Sequence, residues 1–198
     1  MEFTVLPVGE MQANAYILYD KSRDDALVID PGAEPEGIRL ALQGRTLAGI
    51  VLTHGHVDHI GAVAALRGPD TPVYIHENDA QMLTNPNLSL SVMVGGPQTQ
   101  GEPDFCFTEG ELTVAGVTLQ VLHTPGHTPG SVCFLSGDTL FSGDTLFARG
   151  VGRTDFPGGN DAALWASVRR LMALAPETRV YPGHGNATTI AQERRHYA

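Results

Sequence analysis

The segment Thr53-His54-Gly55-His56-Val57-Asp58-His59 directly follows the apolar run Gly49-Ile50-Val51-Leu52. Three imidazoles and one carboxylate so close together have no role in packing a core. Histidines at i and i+2 of an extended segment project to the same side. Histidine and aspartate are both ligands for divalent cations. The segment therefore predicts a metal site, and such a site needs further ligands from elsewhere in the chain.

Further candidate ligands follow other predicted strands. Two Pro-Gly-His turns end in His127 and His184, and a Ser-Gly-Asp turn ends in Asp144. Loops at the same end of packed strands converge on one rim, where α/β folds place their sites. The adjoining glycines allow sharp turns and close approach to a metal. The candidate metal ligands, enough for two ions, are His54, His56, Asp58, His59, His127, Asp144 and His184.

Some of these residues have a structural alternative. Asp58 stands where an N-cap for a helix over 59–67 would be, and aspartate is a favoured cap. The three turns are also compatible with solvent-facing side chains. Other histidines would overfill the site, so we interpret them as structural or supporting residues: His76, His123 and His196.

The composition predicts one domain over residues 1–198 and excludes some functions. The net charge of −10 arises from 12 basic and 22 acidic residues without a basic stripe, which argues against nucleic-acid binding. We find neither a signal peptide nor an apolar run of transmembrane length, so a cytoplasmic protein with no membrane contact is expected. Cys106 and Cys133 lie in apolar settings and are expected to be buried, inert thiols. The oligomeric state is left open.

The predicted elements form two series. Strands at 3–8, 15–19 and 26–29 precede a helix at 34–42, and a strand at 50–52 precedes a helix at 60–66, a strand at 73–75 and a helix at 77–83. Residues 85–104 are predicted to be a long surface loop over the site. The second series comprises strands at 112–114, 117–122, 131–135, 139–141 and 179–181, with helices at 162–174 and 188–197. This order predicts a layered α/β fold in two similar halves.

Several motifs together resemble the metallo-β-lactamase superfamily, and within it the glyoxalase II-like (hydroxyacylglutathione hydrolase) branch. They are the 54–59 cluster, Asn14–Leu18, Val28–Gly32, Thr124–Ser131, Ser142–Leu146, Gly152–Asp155 and Pro182–Gly185. The resemblance implies an α/β fold with a four-layer αββα sandwich. It also implies one metal on His54, His56 and His127, a second on Asp58, His59 and His184, and Asp144 bridging the two.

The resemblance further implies a binuclear metallohydrolase that cleaves thioesters such as S-lactoylglutathione. Two divalent ions, zinc first and iron or manganese as alternatives, lower the pKa of a shared water to about 7 and give a bridging hydroxide. Asp58 is expected to orient that hydroxide. Arg153, and secondarily Arg149, are the candidate contacts for an anionic small-molecule substrate.

Two departures from the branch put glutathione in question. Full-length glyoxalase II enzymes carry a C-terminal helical domain that supplies much of the glutathione site, whereas this sequence ends shortly after His184. Asp155 also stands where those enzymes tend to have tyrosine. The resemblance therefore implies the hydrolytic centre of these enzymes but not their preference for glutathione.

Two other functions compete with hydrolysis. Persulfide dioxygenases of the same superfamily also show a Gly-Arg-Thr-Asp segment and hold a single iron on the equivalents of His54, His127 and Asp144. A metal-dependent binding module without catalysis is the third interpretation.

Overall fold

The first sheet is built by the N-terminal half of the chain. The computed structural model describes residues 1–197. The six strands of this sheet lie side by side in chain order: β1 (Glu2–Val8), β2 (Ala13–Tyr19), β3 (Asp25–Ile29), β4 (Thr46–Val51), β5 (Val73–His76) and β6 (Phe105–Phe107). Strands β1 to β3 pair antiparallel, and β3 to β6 pair parallel. Parallel pairing places the carboxyl ends of β3, β4 and β5 at one edge.

The second sheet is built by the C-terminal half. Its strands are β7 (Gly110–Val114), β8 (Val117–His123), β9 (Val132–Ser136) and β10 (Thr139–Gly143), and, after a small hairpin of β11 (Leu146–Phe147) and β12 (Gly150–Val151), β13 (Arg179–Pro182) and β14 (Thr188–Thr189). The spatial order is β14-β13-β10-β9-β8-β7. Only β10 and β13 pair parallel within this sheet of the described chain, so their carboxyl ends also share an edge.

Three apolar clusters define the layers. One lies between the sheets and joins side chains such as Leu18 and Ile29 of the first sheet to Leu119 and Phe141 of the second. A second cluster packs helices α1 (Pro35–Ala41), α2 (Val57–Ile60) and α3 (Val63–Leu66) onto the outer face of the first sheet. A third packs α4 (Asp161–Leu171) and α5 (Ile190–His196) onto the second sheet. The predicted four-layer αββα sandwich is confirmed.

The helix predicted at 60–66 is wrong in its bounds. It is divided into α2 and α3 at Gly61, whose added Cβ would lie 2.4 Å from the carbonyl oxygen of Gly32. The main chain of Gly32 approaches this closely because Ala62 donates a hydrogen bond to Pro31. Asp58 lies inside α2 and His56 precedes the helix, so Asp58 does not cap it.

Other differences concern short or irregular elements. The short helix predicted at 77–83 is a 3₁₀ helix, and a second 3₁₀ turn (Ser91–Met93) lies within the predicted loop. The prediction misses β6 and the β11–β12 hairpin, which have only three and two residues per strand. Cys133 is buried as expected, whereas Cys106 is exposed because β6 is an edge strand, so that part of the prediction is wrong. No helix within residues 1–197 is long and apolar enough to cross a membrane.

Candidate metal centre

The edge where parallel strands end positions the first group of ligands. Ile29 of β3 pairs with Val51 of β4, so Asp30 and Thr53 follow neighbouring strands. Asp30 accepts hydrogen bonds from the Thr53 main-chain N–H at 2.7 Å and from its hydroxyl at 2.6 Å. This contact holds the loop from which the histidine cluster extends into α2.

The second sheet supplies the remaining ligands from three loop positions. His127 lies between β8 and β9, Asp144 directly follows β10, and His184 follows β13. Asn14 of β2 ties the last loop in place, since its side-chain amide donates to the carbonyl oxygens of Pro182 and Gly185. All seven candidate ligands predicted from the sequence therefore meet at the rim between the two sheets.

The seven side chains form two groups. In the first, His54, His56 and His127 each offer a nitrogen within 4.8 Å of the other two, and His56 Nδ1 lies 2.9 Å from His127 Nε2. In the second, Asp58, His59 and His184 each offer a ligand atom within 4.8 Å of the other two. There His184 Nε2 lies 3.1 Å from Asp58 Oδ2 and 3.3 Å from His59 Nε2.

Asp144 lies between the two groups. Its Oδ1 is 3.4 Å from His59 Nε2, and its Oδ2 is 3.5 Å from His127 Nε2 and 3.7 Å from His184 Nε2. One carboxylate thus reaches histidines of both groups, which is the arrangement that a bridging ligand requires.

Buried polar atoms without partners test whether these residues fit divalent cations. His54 Nε2, His56 Nε2 and Asp144 Oδ1 are buried and have no hydrogen-bond partner within the described chain. An unsatisfied buried polar atom costs about 1–3 kcal/mol, so native proteins rarely leave three of them in one place. Cations in the two groups would supply partners for His54 Nε2 and Asp144 Oδ1, whereas the His56 nitrogen that faces His127 is Nδ1. The donor set of imidazoles and carboxylates suits zinc, iron and manganese.

Contacts behind the ligands orient the imidazole rings. His59 Nδ1 lies 3.0 Å from Asp30 Oδ2 and His54 Nδ1 lies 3.0 Å from the Thr53 hydroxyl. The main-chain oxygens of Arg153 and Met11 accept from the Nδ1 atoms of His127 and His184, at 2.7 and 3.1 Å. A ring whose Nδ1–H is donated in this way presents the Nε2 lone pair to a metal.

The electrostatics favour metal-binding protonation states at four of the ligands, whereas at His59 and His184 the neighbouring carboxylates outweigh burial and raise the pKa. Burial lowers the pKa of His54 well below its ordinary value, and burial together with His127 lowers the pKa of His56 to about 3. Burial alone would raise the pKa of Asp58 and Asp144, but neighbours led by His59 outweigh it and hold both pKa values low. Neutral imidazoles and ionised carboxylates are the forms that bind metal.

Two aspartates behind the centre have no role in the sequence prediction. Asp30 comes close enough to His54 and His59 to form a third possible metal group, but Thr53 already occupies both of its oxygens. Asp79 is fully buried and accepts from the Gly55 and Gly130 main chain and the Thr128 hydroxyl, at 3.1, 2.6 and 2.6 Å. Burial raises the pKa of Asp79, and these donors oppose that rise.

The two candidate substrate arginines lie in different places. Arg153 lines the cavity above the centre, but its guanidinium donates to both oxygens of Asp155, at 2.8 and 2.7 Å, and stacks over Phe156. Arg149 is not brought to this cavity. It lines a separate pocket with Glu193 and Arg195, and its main-chain N–H donates to Glu193. We therefore no longer assign Arg149 to substrate binding.

The other histidines stay outside the two groups. His76 and His123 stack on each other, with ring centroids 4.3 Å apart and planes 11° from parallel. His196 lines the pocket of Arg149. The predicted loop at 85–104 contributes Leu90, Met93 and Val94 to the cavity over the centre.

The metallo-beta-lactamase superfamily model matches residues 8–184, which span every candidate ligand. The chain belongs to this superfamily. It is 41% identical to a probable metallo-hydrolase, YqgX, of Bacillus subtilis, over 98% of this chain and 95% of that protein. It is 35% identical to the hydroxyacylglutathione hydrolase GloC of Haemophilus influenzae, over 98% and 96%. These findings support a metal-dependent hydrolase.

Solved structures agree with membership of the metallo-beta-lactamase superfamily. The chain resembles the BLEG-1 B3 metallo-beta-lactamase with a TM-score of 0.91 and 41% identity, over 98% of this chain and 97% of that one. TTHA1623, solved in a di-iron-bound form, gives a TM-score of 0.87 and 41% identity over 97% of each chain. ETHE1 from Myxococcus xanthus gives 0.79 and 34%, over 99% and 83%.

Gly183→Ala is expected to weaken metal binding. An added Cβ would lie 2.1 Å from Asp144 Oδ1 and 2.7 Å from His59 Cε1, so one of these side chains has to move. Gly183 itself is held by main-chain hydrogen bonds to Asn14 and Gly143. We expect metal affinity, measured by competition with a chromogenic chelator, to fall roughly 10- to 100-fold, as when an outer support of a metal site is removed.

Gly37→Ala is the matched control. Gly37 lies in α1, and the nearest atoms to its added Cβ are 3.8 Å away. Metal affinity should stay unchanged, and the helix should gain about 0.5–1 kcal/mol from the loss of glycine. Wild-type affinity in Gly183→Ala would contradict the geometry of the centre.

Proposed function

We propose that this chain is a thioester hydrolase of the glyoxalase II-like type that works with two divalent cations. The observation that carries the proposal is the position of Asp144, within 3.4–3.7 Å of histidines from both three-residue groups. The similarity to a hydroxyacylglutathione hydrolase supports the thioester as substrate.

The candidate ligands would bind the two cations as follows. His54, His56 and His127 would hold one cation, Asp58, His59 and His184 the other, and Asp144 both. Cations bound there supply Lewis acidity, which lowers the pKa of a shared water and polarises an acyl carbonyl. Zinc is the first expectation, with iron or manganese as alternatives, because imidazole and carboxylate ligands accept all three.

Asp58 has a second role in this proposal. It lines the cavity, and its pKa is held low despite its burial, so it stays ionised at neutral pH. An ionised carboxylate beside the substrate can orient a water by accepting a hydrogen bond from it. The cavity walls would keep bulk water away from the acyl group while it reacts.

Metal content and turnover test the proposal together. We expect purified protein to carry two ions per chain by mass spectrometry and to release thiol from thioesters, as followed with a thiol-reactive dye. Chelation should remove metal and turnover in parallel, and added zinc should restore both. Full turnover by metal-free protein would refute the proposal. A single iron per chain, with oxygen uptake on glutathione persulfide, would instead support the dioxygenase.

A further inference from the structure

The cavity above the candidate metal centre has mainly apolar walls. The apolar lining residues are Met11, Val57, Leu90, Met93 and Val94 of the 85–104 segment, Phe147 and Val151 of the β11–β12 hairpin, and Phe156. The cavity volume is about 320 Å³, at the small end of ordinary ligand sites. His56, Asp58, His127, Asp144 and His184 form its floor.

Apolar side chains stand exposed at the mouth of this cavity. Met11, Met93 and Val94 are 44%, 69% and 39% exposed, and all three line the opening. Exposed apolar surface that gathers beside a cavity indicates a place where a ligand or partner is bound. These side chains border the same cavity as the candidate metal ligands, so a ligand that fills the cavity contacts both.

Away from the metal centre itself, the charged residues around the cavity offer few contacts to an anionic occupant. Arg153 is the only lysine or arginine among the described residues that line it, and Asp155 engages its guanidinium through two hydrogen bonds. Met93 and Val94 also border a second cleft of about 720 Å³ on their other side. The described lining of that cleft includes Glu10 and Glu34 and neither lysine nor arginine.

We propose that this cavity selects thioesters with an apolar acyl chain on an uncharged thiol. The acyl chain lies against Met93, Val94 and Phe156, with its carbonyl over the centre. Beyond the centre, the polar, anionic ends of a glutathione thioester would meet Arg153, which Asp155 already engages, and a neighbouring cleft lined by Glu10 and Glu34. This inference rests on the proposed thioester hydrolysis and names its substrate class, in place of the anionic thioester expected from the sequence.

The first test is a chain-length series on the metal-loaded protein. The probes are acetyl, butyryl and hexanoyl thioesters of N-acetylcysteamine, with S-lactoylglutathione for comparison. We expect kcat/KM to rise about three- to fourfold for each added methylene, as for the transfer of a methylene out of water. S-lactoylglutathione should be a poorer substrate than the hexanoyl probe.

Met93→Ser and Val92→Ser form a matched pair on the same segment. Both side chains are exposed, but only Met93 lines the cavity, so neither change is expected to prevent folding. Met93→Ser should flatten the rise with chain length, so that kcat/KM for the hexanoyl probe falls more than kcat/KM for the acetyl probe. Val92→Ser should keep the wild-type series. Val94→Ser gives a second cavity-lining variant, expected to behave as Met93→Ser does.

Binding measurements separate this inference from the proposed function. Thioether analogues, in which a methylene replaces the acyl carbonyl, are not hydrolysed and can be titrated by calorimetry. Their affinity should rise about three- to fourfold per methylene in the wild type and Val92→Ser, and stay flat in Met93→Ser. A flat wild-type series, or a preference for S-lactoylglutathione, overturns the inference. If the thioethers bind as expected but no thioester is cleaved, the proposed hydrolysis fails and the apolar cavity stands.

Discussion

Asp144→Ala is expected to abolish loading of the centre with two metal ions and to remove thioester hydrolysis with it. The Asp144 carboxylate lies within 3.4–3.7 Å of histidines from both groups. Without it, the two cations would lose their shared anionic ligand and repel each other across a buried, poorly screened space. We expect metal affinity and kcat/KM to fall by more than the roughly 10- to 100-fold that follows removal of an outer support.

Two further variants make this expectation specific. Asp138→Ala removes another aspartate beside β10, one that is 61% exposed in its side chain and pairs with Arg179. Exposed ion pairs contribute about 0–1 kcal/mol, so this control should keep both metals and full turnover. Asp144→Asn keeps the volume and should show the same metal loss as Asp144→Ala. A full complement of two ions in either Asp144 variant would contradict a bridging role.

The strand ends that carry the ligands could be predicted from the sequence. The apolar runs of β4 and β10 end at a polar, ligand-bearing turn, so the period and length of the runs place His54 and Asp144 at the rim. Parallel pairing of β3 with β4 and of β10 with β13 then brings separate loops together. Parallel pairing thus accounts for the ligands that follow β4, β10 and β13, whereas His127 lies between β8 and β9, which pair antiparallel.

The role of Asp79 could not be predicted because its contacts join residues that are far apart in the chain. Asp79 follows no strand end with a recognisable turn, and its partners Thr128 and Gly130 lie in the other half of the chain. Asp30 does follow an apolar strand directly, so the rule that found the other ligands could have singled it out. The pairing of Arg153 with Asp155 is local, yet no sequence pattern distinguishes it from an arginine that is free to bind substrate.

Asp79→Ala is expected to lower both the stability of the fold and the metal affinity of the centre. Asp79 joins the loop of His54 and His56, through Gly55, to the loop of His127, through Thr128 and Gly130. Alanine would leave the main-chain N–H groups of Gly55 and Gly130 buried without an acceptor, while the Thr128 hydroxyl would keep Ser131 Oγ at 2.7 Å. At about 1–3 kcal/mol for each unsatisfied group, partly relieved by relaxation, we expect a loss of about 2–4 kcal/mol in urea unfolding.

Metal affinity shows whether Asp79 positions the ligands or only stabilises the fold. If it holds the two loops in register, chelator competition should show a loss of roughly 10- to 100-fold, as for other supports behind metal ligands. Asp79→Asn should lose less stability than alanine because it keeps the volume and removes a buried charge. Asparagine still replaces one carboxylate oxygen, an acceptor, with an NH2 group, a donor that would face N–H groups. The metal affinity of Asp79→Asn should therefore fall as well.

Asp104→Ala distinguishes these two effects. Asp104 also accepts from a main-chain N–H, that of Val73, and from Arg67, but its side chain is 40% exposed and contacts neither metal-binding loop. The Asp104→Ala variant should lose some stability and keep full metal affinity. If the Asp79 and Asp104 variants both lose stability and both bind metal as the wild type does, Asp79 only stabilises the fold. If only the Asp79 variants lose metal affinity in the folded state, the carboxylate between the halves sets the distance between His56 and His127.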